Sequence, residues 1–439
     1  MNNEVKVESI AIAKNQPKII NAWCSYDWAN SVYALTISSA IFPVYYNSTT
    51  RAAFGGDKIQ FFGFPIENTV LYSYALSFSF LIIVFLSPIL SGMADYGGMK
   101  KRMMKFFTAL GSASCIALYF FNGHNVEFGI IATILASTGW AGALVFYNAY
   151  LPEVATEDRF DSISARGYAM GYVGSVLQLI FSLMIIMNHE YLGITEAFGS
   201  KLAFLTVGAW WFLFAQISFH YLPSNVHQRP PKRTNLFKKG YGELKKVYFL
   251  VKKMPEIKRF LRSFFFYNAG VQTVMLLAAT FGEKEMSLTV DQLITTVLLI
   301  QIVAIAGAYL FAQISAWKGN KFSIAVMVII WVGVCAYAYL MQTVLDFYIL
   351  AFVIGLIMGG IQSMSRSTYS KLIPRDTYDT ASFFSFFDVA EKLSIVMGTF
   401  LYGLIEQITG NMRLSALSLV VLFVIGFILL MRFKMPERE

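Results

Sequence analysis

Charged residues and metal ligands are scarce in this sequence. Asp, Glu, Lys and Arg make up 14% of the 439 residues, well below the roughly 25% of an average soluble domain. The three cysteines lie far apart and the four histidines have no ligand-like spacing, so neither a disulfide framework nor a metal site is expected. A GxxxxGKS phosphate loop is also missing, which excludes ATP use through such a loop. No cofactor is predicted.

Long apolar segments are what the sequence has in abundance, because 56% of its residues are hydrophobic. A helix needs about 20 residues to cross a hydrocarbon core of about 30 Å. The segments are about twice the length of a barrel strand and lack polar alternation, which favours helices. We therefore predict an all-α membrane protein with twelve spans, at 20–46, 70–92, 103–121, 128–151, 167–187, 201–222, 260–282, 292–315, 321–342, 346–367, 381–405 and 412–433.

The distribution of basic residues predicts the orientation of these spans. Of the 35 Lys and Arg residues, 29 lie on the side that holds both termini and five on the opposite side. Loops rich in Lys and Arg stay in the cytosol, so both termini are expected there. The first apolar segment is too long for a signal core and has no suitable cleavage site, so it is interpreted as a retained span. A cytoplasmic (plasma) membrane is the predicted location.

A long basic segment divides the spans into six and six. We predict an N-terminal bundle at 1–222, a cytosolic linker at 223–259 and a C-terminal bundle at 260–439. The linker has lysine pairs every seven residues and an apolar stripe, which predict an amphipathic helix. A tether bound to anionic lipid is favoured over a regulatory or nucleic-acid site. The stripe comprises Phe237, Tyr241, Leu244, Tyr248 and Val251.

The two halves resemble each other at a nearly constant offset. "FDSIS" at 160–164 matches "YDTAS" at 378–382, and Pro152 precedes Pro374 by 222 residues. Asp95 and Ser315 occupy corresponding loops, 220 residues apart. These pairings indicate a duplicated six-helix unit.

"SGMADYGGMKKR" at 91–102 resembles the GxxxDRxGRR signature of the major facilitator superfamily. "YDWANSVYAL", "YNAYLPEVATEDRFDSISARGYAMGYVG" and "GGIQSMSRSTYSKLIP" resemble the branch related to fungal vacuolar amino-acid effluxers. The resemblance implies two six-helix bundles, alternating access, and amino acids or similar small solutes as substrates. It also implies gating contacts through Asp95 and the basic residues Lys100, Lys101 and Arg102. Ser315 stands where the second-half copy commonly has an aspartate, which puts that half's contact in doubt.

Polar residues inside the first predicted span are candidates for function, because an ionisable group in a membrane costs several kcal/mol unless it is paired or hydrated. Asp27 and Asn30 share one helix face, which Tyr26 and Tyr33 flank. This face is predicted to point into a hydrated path between the halves. For Asp27 a structural or gating role is favoured, and contact with substrate or a proton is the alternative.

Three ionisable residues, Asp388, Glu391 and Lys392, lie within two turns of the eleventh predicted span. Lys392 at i+4 can pair with Asp388 but is expected to neutralise only one of the two acids. A gate network is favoured here. The alternative is proton coupling through the other carboxylate, with Glu391 as the candidate.

Amides in other spans are weaker candidates for contact with a small zwitterion, because hydrogen bonds between helices account for most such residues. Arg166 and Arg366 are expected to pair with the acids Glu153, Asp158 and Asp161 as gating residues. The amide candidates are Asn148, Gln178, Asn268, Gln272, Gln301 and Gln362.

The favoured function is a secondary transporter of a small organic solute, with proton coupling left open. A receptor or scaffold derived from a transporter is the alternative, and movement of solute in liposomes would distinguish the two. An enzyme is not expected, because no nucleophile and base or metal cluster has chemical spacing. The expected partners are a small-molecule substrate and the lipid bilayer, without nucleic acid, and the chain is expected to be monomeric.

Overall fold

The computed structural model describes residues 13–224, 236–375 and 377–435 of the chain. Within these residues the fold is almost entirely helical, with one small two-stranded sheet. The helices are α1 (Pro17–Val32), α2 (Phe42–Phe54), α3 (Asn68–Gly97), α4 (Lys100–Ala117), α5 (Val126–Ala149), α6 (Leu151–Val154), α7 (Phe160–Met187), α8 (Glu196–Tyr221), α9 (Leu236–Lys253), α10 (Pro255–Met286), α11 (Val290–Lys318), α12 (Asn320–Leu340), α13 (Val344–Leu372), α14 (Thr380–Thr409) and α15 (Met412–Arg432).

Ten helices in the described part of the chain are long and apolar enough to cross a membrane. They coincide with ten of the twelve predicted spans. The other two predicted spans fall on the segment 17–54 and on α14. The segment 17–54 is helical throughout but has a π-helical stretch, Tyr33–Ile41, between α1 and α2. That these two segments also cross the membrane stays a prediction.

A β-hairpin between α2 and α3 was not predicted. Its strands β1 (Lys58–Phe61) and β2 (Phe64–Glu67) pair antiparallel. Phe62 and Gly63 connect them with φ angles of 48° and 82°, and positive φ at both central residues is typical of tight hairpin turns. The sequence "IQFFGFPI" reads as one short apolar run, so periodicity alone did not reveal the turn.

Helix contacts occur both within and between the two chain halves, which we define as α1–α8 (first half) and α10–α15 (second half). In the first half α1 packs on α7 and α8, and α4 packs on α5. In the second half α11 packs on α13, and α10 packs on α14 and α15. Helices α7 and α14 join the halves, because α7 contacts α11 and α13 while α14 contacts α3 and α5. These contacts between the halves position the candidate site.

The predicted linker helix is present as α9, and its predicted apolar stripe is only partly buried against protein, since Val251 is buried whereas two tyrosines of the stripe are exposed. Helix α9 packs on α3, where a Cβ atom on Gly240 would lie 2.5 Å from Met93 Cγ. This close approach turns Val247 and Val251 inward. Tyr241 and Tyr248 of the predicted stripe are instead 57% and 52% exposed. The side chain of Phe237 lies outside the described part of the structure.

Candidate functional site

Arg366 of α13 lies in a pocket that the first half builds. Its side chain is 2% exposed, and Nη1 lies 3.2 Å from Asp27 Oδ2. Nε donates to Ser164 Oγ at 2.9 Å, and Nη2 donates to the Ser164 carbonyl oxygen at 2.9 Å. The guanidinium carbon is 4.2 Å from the ring centroid of Tyr168 and 4.7 Å from that of Trp23. A cation of the second half is therefore held by a carboxylate, a serine and aromatic faces of the first half.

Residues of the first half hold the Asp27 carboxylate in place independently of Arg366. It follows the helix start at Pro17 by ten residues, which places it about 15 Å into the helix. Tyr147 of α5 donates its hydroxyl to Asp27 Oδ2 at 2.7 Å. A Cβ atom on Gly167 would lie 2.5 Å from the same oxygen, so the carboxylate fits only because residue 167 has no side chain.

A central cavity of about 240 Å³ lies between the halves, beside the Asp27–Arg366 pair. Its volume is slightly below the roughly 300–1,000 Å³ of sites for drug-sized ligands, so it suits a small solute. Both halves contribute polar side chains to its wall. Besides five serines, these are Asp27, Asn30, Tyr33, Trp140, Asn148, Tyr168, Tyr172, Gln272, Gln301, Gln362, Arg366, Glu391 and Lys392.

Three buried polar atoms of this wall have no protein partner among the described residues. Asn30 Nδ2 and Trp140 Nε1 are donors of the first half, and Gln301 Oε1 is an acceptor of the second half. Leaving a buried polar atom unpaired costs about 1–3 kcal/mol, so such atoms are usually satisfied by water or a ligand. The wall thus offers donors on one side and an acceptor on the other.

The predicted ionisable cluster of α14 faces the same cavity. Lys392 Nζ is 2.9 Å from Glu391 Oε2 and 3.6 Å from Asp388 Oδ1. The Lys392 ammonium group contacts both acids, and its single positive charge can neutralise only one of them. Asp388 points away from the cavity and accepts from Ser87 Oγ of α3 at 3.5 Å. The Glu391 side chain is 26% exposed, whereas those of Asp388 and Lys392 are 6% and 1% exposed.

Asp95 joins the halves at the face of the bundle predicted to be cytosolic. Its carboxylate accepts from the backbone nitrogen atoms of Ala381 and Ser382, at 3.2 and 2.7 Å, and from Ser382 Oγ at 2.7 Å. A carboxylate at the N-terminus of α14 also interacts favourably with the helix dipole. Lys100 Nζ lies 3.2 Å from Asp95 and pairs with Glu153. We call Asp95 and these partners the first gate cluster.

A corresponding cluster surrounds Ser315. Its acid does not stand at the position that matches Asp95 but on the helix that this position contacts. Ser315, which matches Asp95 in the repeat, donates to Asp161 Oδ2 of α7 at 3.0 Å. Asn320 donates to Asp161 Oδ1 at 2.7 Å, and Lys371 Nζ lies 2.7 Å from Asp161 Oδ2. We call these four residues the second gate cluster. The first half thus supplies the carboxylate of both clusters.

The predicted partners of the two arginines were wrong. Arg366 pairs with Asp27 rather than with Glu153, Asp158 or Asp161, because its side chain points between α1 and α7 and not toward the loops. Arg166 is exposed and makes no ion pair within the described ranges. Of the predicted acids, Glu153 binds Lys100 and Asp161 binds Lys371.

Two other predicted gating residues lie away from the contacts between the halves. Lys101 is buried and donates to the carbonyl oxygen of Leu222, within the first half. Arg102 is exposed and forms no ion pair with any residue that the structure describes. Of the three basic residues in this turn, the structure therefore brings only Lys100 into the first gate cluster.

The predicted amides divide between the cavity and helix packing. Gln178 does not reach the cavity, because it donates to Thr206 of α8 at 2.9 Å. Asn268 donates to Ser394 at 2.7 Å and lines a smaller cavity beside the central one. Gln362 accepts from the Tyr172 hydroxyl at 2.7 Å, which joins α13 to α7.

Sequence reasoning missed several residues that the structure brings to the site, Tyr168 among them. Ser164 holds the Arg366 guanidinium, Tyr172 holds Gln362, and Trp140 places its ring centroid 5.3 Å from Lys392 Nζ. Their partners lie in the other half of the chain, so no local pattern identifies them. The only available signal was their polarity within apolar segments, which many residues share.

A family model described as "Vacuole effluxer Atg22 like" matches residues 15–438. The chain belongs to this Atg22-like family. A curated Atg22-like relative is an uncharacterized MFS-type transporter, YxiO, of Bacillus subtilis, which is 32% identical over 93% of both chains. Autophagy-related protein 22 of Yarrowia lipolytica is 25% identical over 87% of this chain and 78% of its own.

Solved structures with the same fold are also membrane transporters. The human organic anion transporter MFSD10 superposes with a TM-score of 0.72 at 11% identity, over 94% of this chain and all of that one. The transporter FucP in its outward conformation gives 0.67 at 13% identity, over 94% and 98%. The Atg22-like chain is therefore a multi-pass membrane protein of the major facilitator type and a transporter, as the sequence motifs predicted.

Proposed function

We propose that this protein is a secondary active transporter that moves a small zwitterionic solute, such as an amino acid, by alternating access. In this proposal twelve spans form two six-helix bundles with both termini in the cytosol. The observation that carries the proposal is the central cavity, because both halves line it and ion pairs join the halves beside it. A solute in this cavity would be released to one side or the other by rocking of the halves.

The chemistry of the cavity wall supports a zwitterion as substrate. The donors Asn30 Nδ2 and Trp140 Nε1 suit a carboxylate, and Lys392 lies near the Trp140 ring. The acceptor Gln301 Oε1 and the partly exposed Glu391 carboxylate suit an ammonium group. Because the donors Asn30 and Trp140 belong to the first half and the acceptors Gln301 and Glu391 to the second, one solute with both charges would bridge the halves.

The closed side of the cavity is proposed to be the cytosolic one. Three sets of contacts would have to break before it opens: the Asp27–Arg366 pair, the first gate cluster and the second gate cluster. Each joins the two halves and lies toward the face that carries most of the basic residues. Carboxylates that exchange partners during rocking are a common device for such gates.

Proton coupling is proposed to reside at Glu391. Around the cavity, Arg366 and Lys392 supply two positive charges, while Asp27, Asp388 and Glu391 supply three negative ones. One acid is therefore in excess, and Glu391 is the most exposed of the three. A proton or the solute's ammonium group would neutralise this carboxylate, which would link the two during transport.

Purified protein in liposomes tests the proposal. With labelled amino acids and an imposed pH gradient, the parent protein should accumulate substrate, and Glu391→Gln should lose accumulation but keep exchange of substrate across the membrane. Glu406→Gln is the matched control, because Glu406 lies on the same helix and its only ion pair within the described residues, with Lys284, is long at 3.8 Å and partly exposed. Equal accumulation by Glu391→Gln and the parent protein contradicts coupling at this residue. Absence of any solute movement would favour a receptor or scaffold.

The membrane of residence is also a proposal. The description of the matching family, "Vacuole effluxer Atg22 like", names a vacuole for Atg22. The basic residues of this chain and its retained first helix support insertion in a cytoplasmic membrane with both termini in the cytosol. Fusions of a reporter enzyme to the loop at 189–195 and to the C-terminus would test the orientation, since the proposal places them on opposite sides.

A further inference from the structure

We propose that the outer face of α9 binds anionic lipid headgroups of the cytosolic leaflet and that this binding holds the cytosolic gate closed. The outer face comprises the exposed residues Tyr241, Tyr248, Phe249 and Leu250 together with Lys239, Lys245, Lys252 and Lys253. The proposal goes beyond transport itself, because it assigns a lipid site and a regulatory role to a helix outside the cavity.

The outer face combines the two features that a membrane surface binds. Tyr241, Tyr248 and Phe249 are 57%, 52% and 48% exposed, and aromatic rings favour the headgroup region of a bilayer. The neighbouring lysines are exposed as well, and basic residues attract the anionic cytosolic leaflet. Aromatic and basic side chains on one helix surface are typical of interfacial helices.

The position of α9 supports lipid rather than a soluble polyanion as its partner. Helix α3 exposes large apolar side chains, among them Phe78 at 54% and Phe85 at 71%, as a lipid-facing helix does. Helix α9 contacts α3 at Gly92, seven residues beyond Phe85 and thus about 10 Å further along the helix. The outer face therefore lies where the apolar surface of α3 ends, at the expected level of the headgroups.

Helix α9 contacts α3 and α14, the two helices that Asp95 joins in the first gate cluster. Gly240 packs so closely on Gly92 of α3 that a Cβ atom on either residue would overlap the other helix. Lys246 Nζ lies 2.8 Å from Asp379 Oδ2, and Asp379 directly precedes α14. This hydrogen bond raises the pKa of Lys246, so its ammonium group stays charged at neutral pH.

These contacts connect lipid binding to the gate. Opening of the cytosolic side separates α3 from α14, because Asp95 of α3 holds the first turn of α14. Helix α9 touches both, so it must release one of them during opening. In the docked position α9 contacts both α3 and α14. Lipid that binds the outer face of α9 only in this position stabilises it, and by linkage it stabilises the closed gate.

Distance measurements on the full-length protein in nanodiscs test this inference without a known substrate. The three native cysteines are buried, so spin labels are placed at R102C and W317C, two exposed sites at the cytosolic ends of α4 and α11. Adding phosphatidylglycerol to phosphatidylcholine nanodiscs should raise the ratio of short to long distances at least roughly threefold. The variant with Gln at Lys239, Lys245, Lys252 and Lys253 should lose this response.

Two further results decide between lipid charge and other effects. Arg at the same four positions keeps the positive charge and should keep the response. A parent protein whose distances are the same in both lipid compositions overturns the inference, and this measurement requires no substitution in α9. A response that the Gln variant retains overturns it as well, because the lipid would then act elsewhere.

Discussion

Replacing Asp27 by Asn removes the carboxylate that neutralises the buried Arg366 guanidinium. Asn is nearly isosteric, so Tyr147 can still donate to the side-chain oxygen and Gly167 still leaves room for it. The hydrogen bonds from Arg366 to Ser164 also remain. The substitution therefore tests the charge of the pair with little change in shape.

The expected magnitude follows from the burial of the pair. Removing one member of a buried charge pair costs about 2–5 kcal/mol, because the other charge stays desolvated. The Ser164 oxygens and the ring faces of Tyr168 and Trp23 still solvate Arg366 in part, so we take about 2 kcal/mol. If Arg366 reaches water when the cytosolic side opens, the loss of the carboxylate destabilises the closed state alone, by this free energy. The ratio of closed to open molecules should then fall about 30-fold.

The spin-label pair at R102C and W317C measures this ratio directly. Asp57→Asn serves as the control, because it breaks the ion pair between Asp57 and Arg51. These two side chains are 49% and 63% exposed, and such surface pairs contribute at most about 1 kcal/mol. Asp27→Asn should populate longer distances, whereas Asp57→Asn should match the parent protein. If the two variants give the same distances, the Asp27–Arg366 pair does not hold the cytosolic side closed.

Two further predictions concern the second gate cluster and the packing of α11 on α13. Ser315→Asp places a second carboxylate beside Asp161 and should open the cytosolic side in the distance measurement. Adding Asp161→Asn should restore closure, and a double variant as open as the single one would contradict the assignment. Gly359→Ala should lower the melting temperature, since its Cβ would overlap the backbone of α11 and overpacking costs about 1–3 kcal/mol. Gly333→Ala has open space around its Cβ and should not lower the melting temperature. An equal decrease in melting temperature for both variants would refute the packing argument.

The duplicated halves carry gates of unequal design. Asp95 of α3 accepts hydrogen bonds from the first turn of α14, whereas Ser315, its match on α11, donates to Asp161 in the first turn of α7. The doubt raised by Ser315 in the sequence is thus resolved at the level of contact: a carboxylate is present in both clusters, at the repeat position itself in one (Asp95) and on the helix that this position contacts in the other (Asp161). The sequence repeat indicates which positions contact each other, and the residue on either side of such a contact can supply the carboxylate.

Individual partners on α1 and α9 could not be predicted. The faces of α1 were predicted correctly in part, since Asp27, Asn30 and Tyr33 all line the cavity, but Tyr26 of the same segment packs against Thr108 inside the first half. The stripe of α9 did not reveal that Gly240 packs closely on α3. Helical periodicity shows which residues share a face, and it does not show which neighbour covers that face.

The sequence by itself determined that the chain spans a membrane many times, that a basic helix follows the sixth predicted span, and that a few polar residues lie within the apolar segments. These properties depend on hydropathy and charge within short segments, where the bilayer acts on each helix separately. The tertiary structure alone decided that Arg366 meets Asp27, 339 residues away in the chain, and that Gln178 stays in helix packing. A buried charge pairs with whatever the packing of helices brings within about 4 Å, and that packing depends on all helices together.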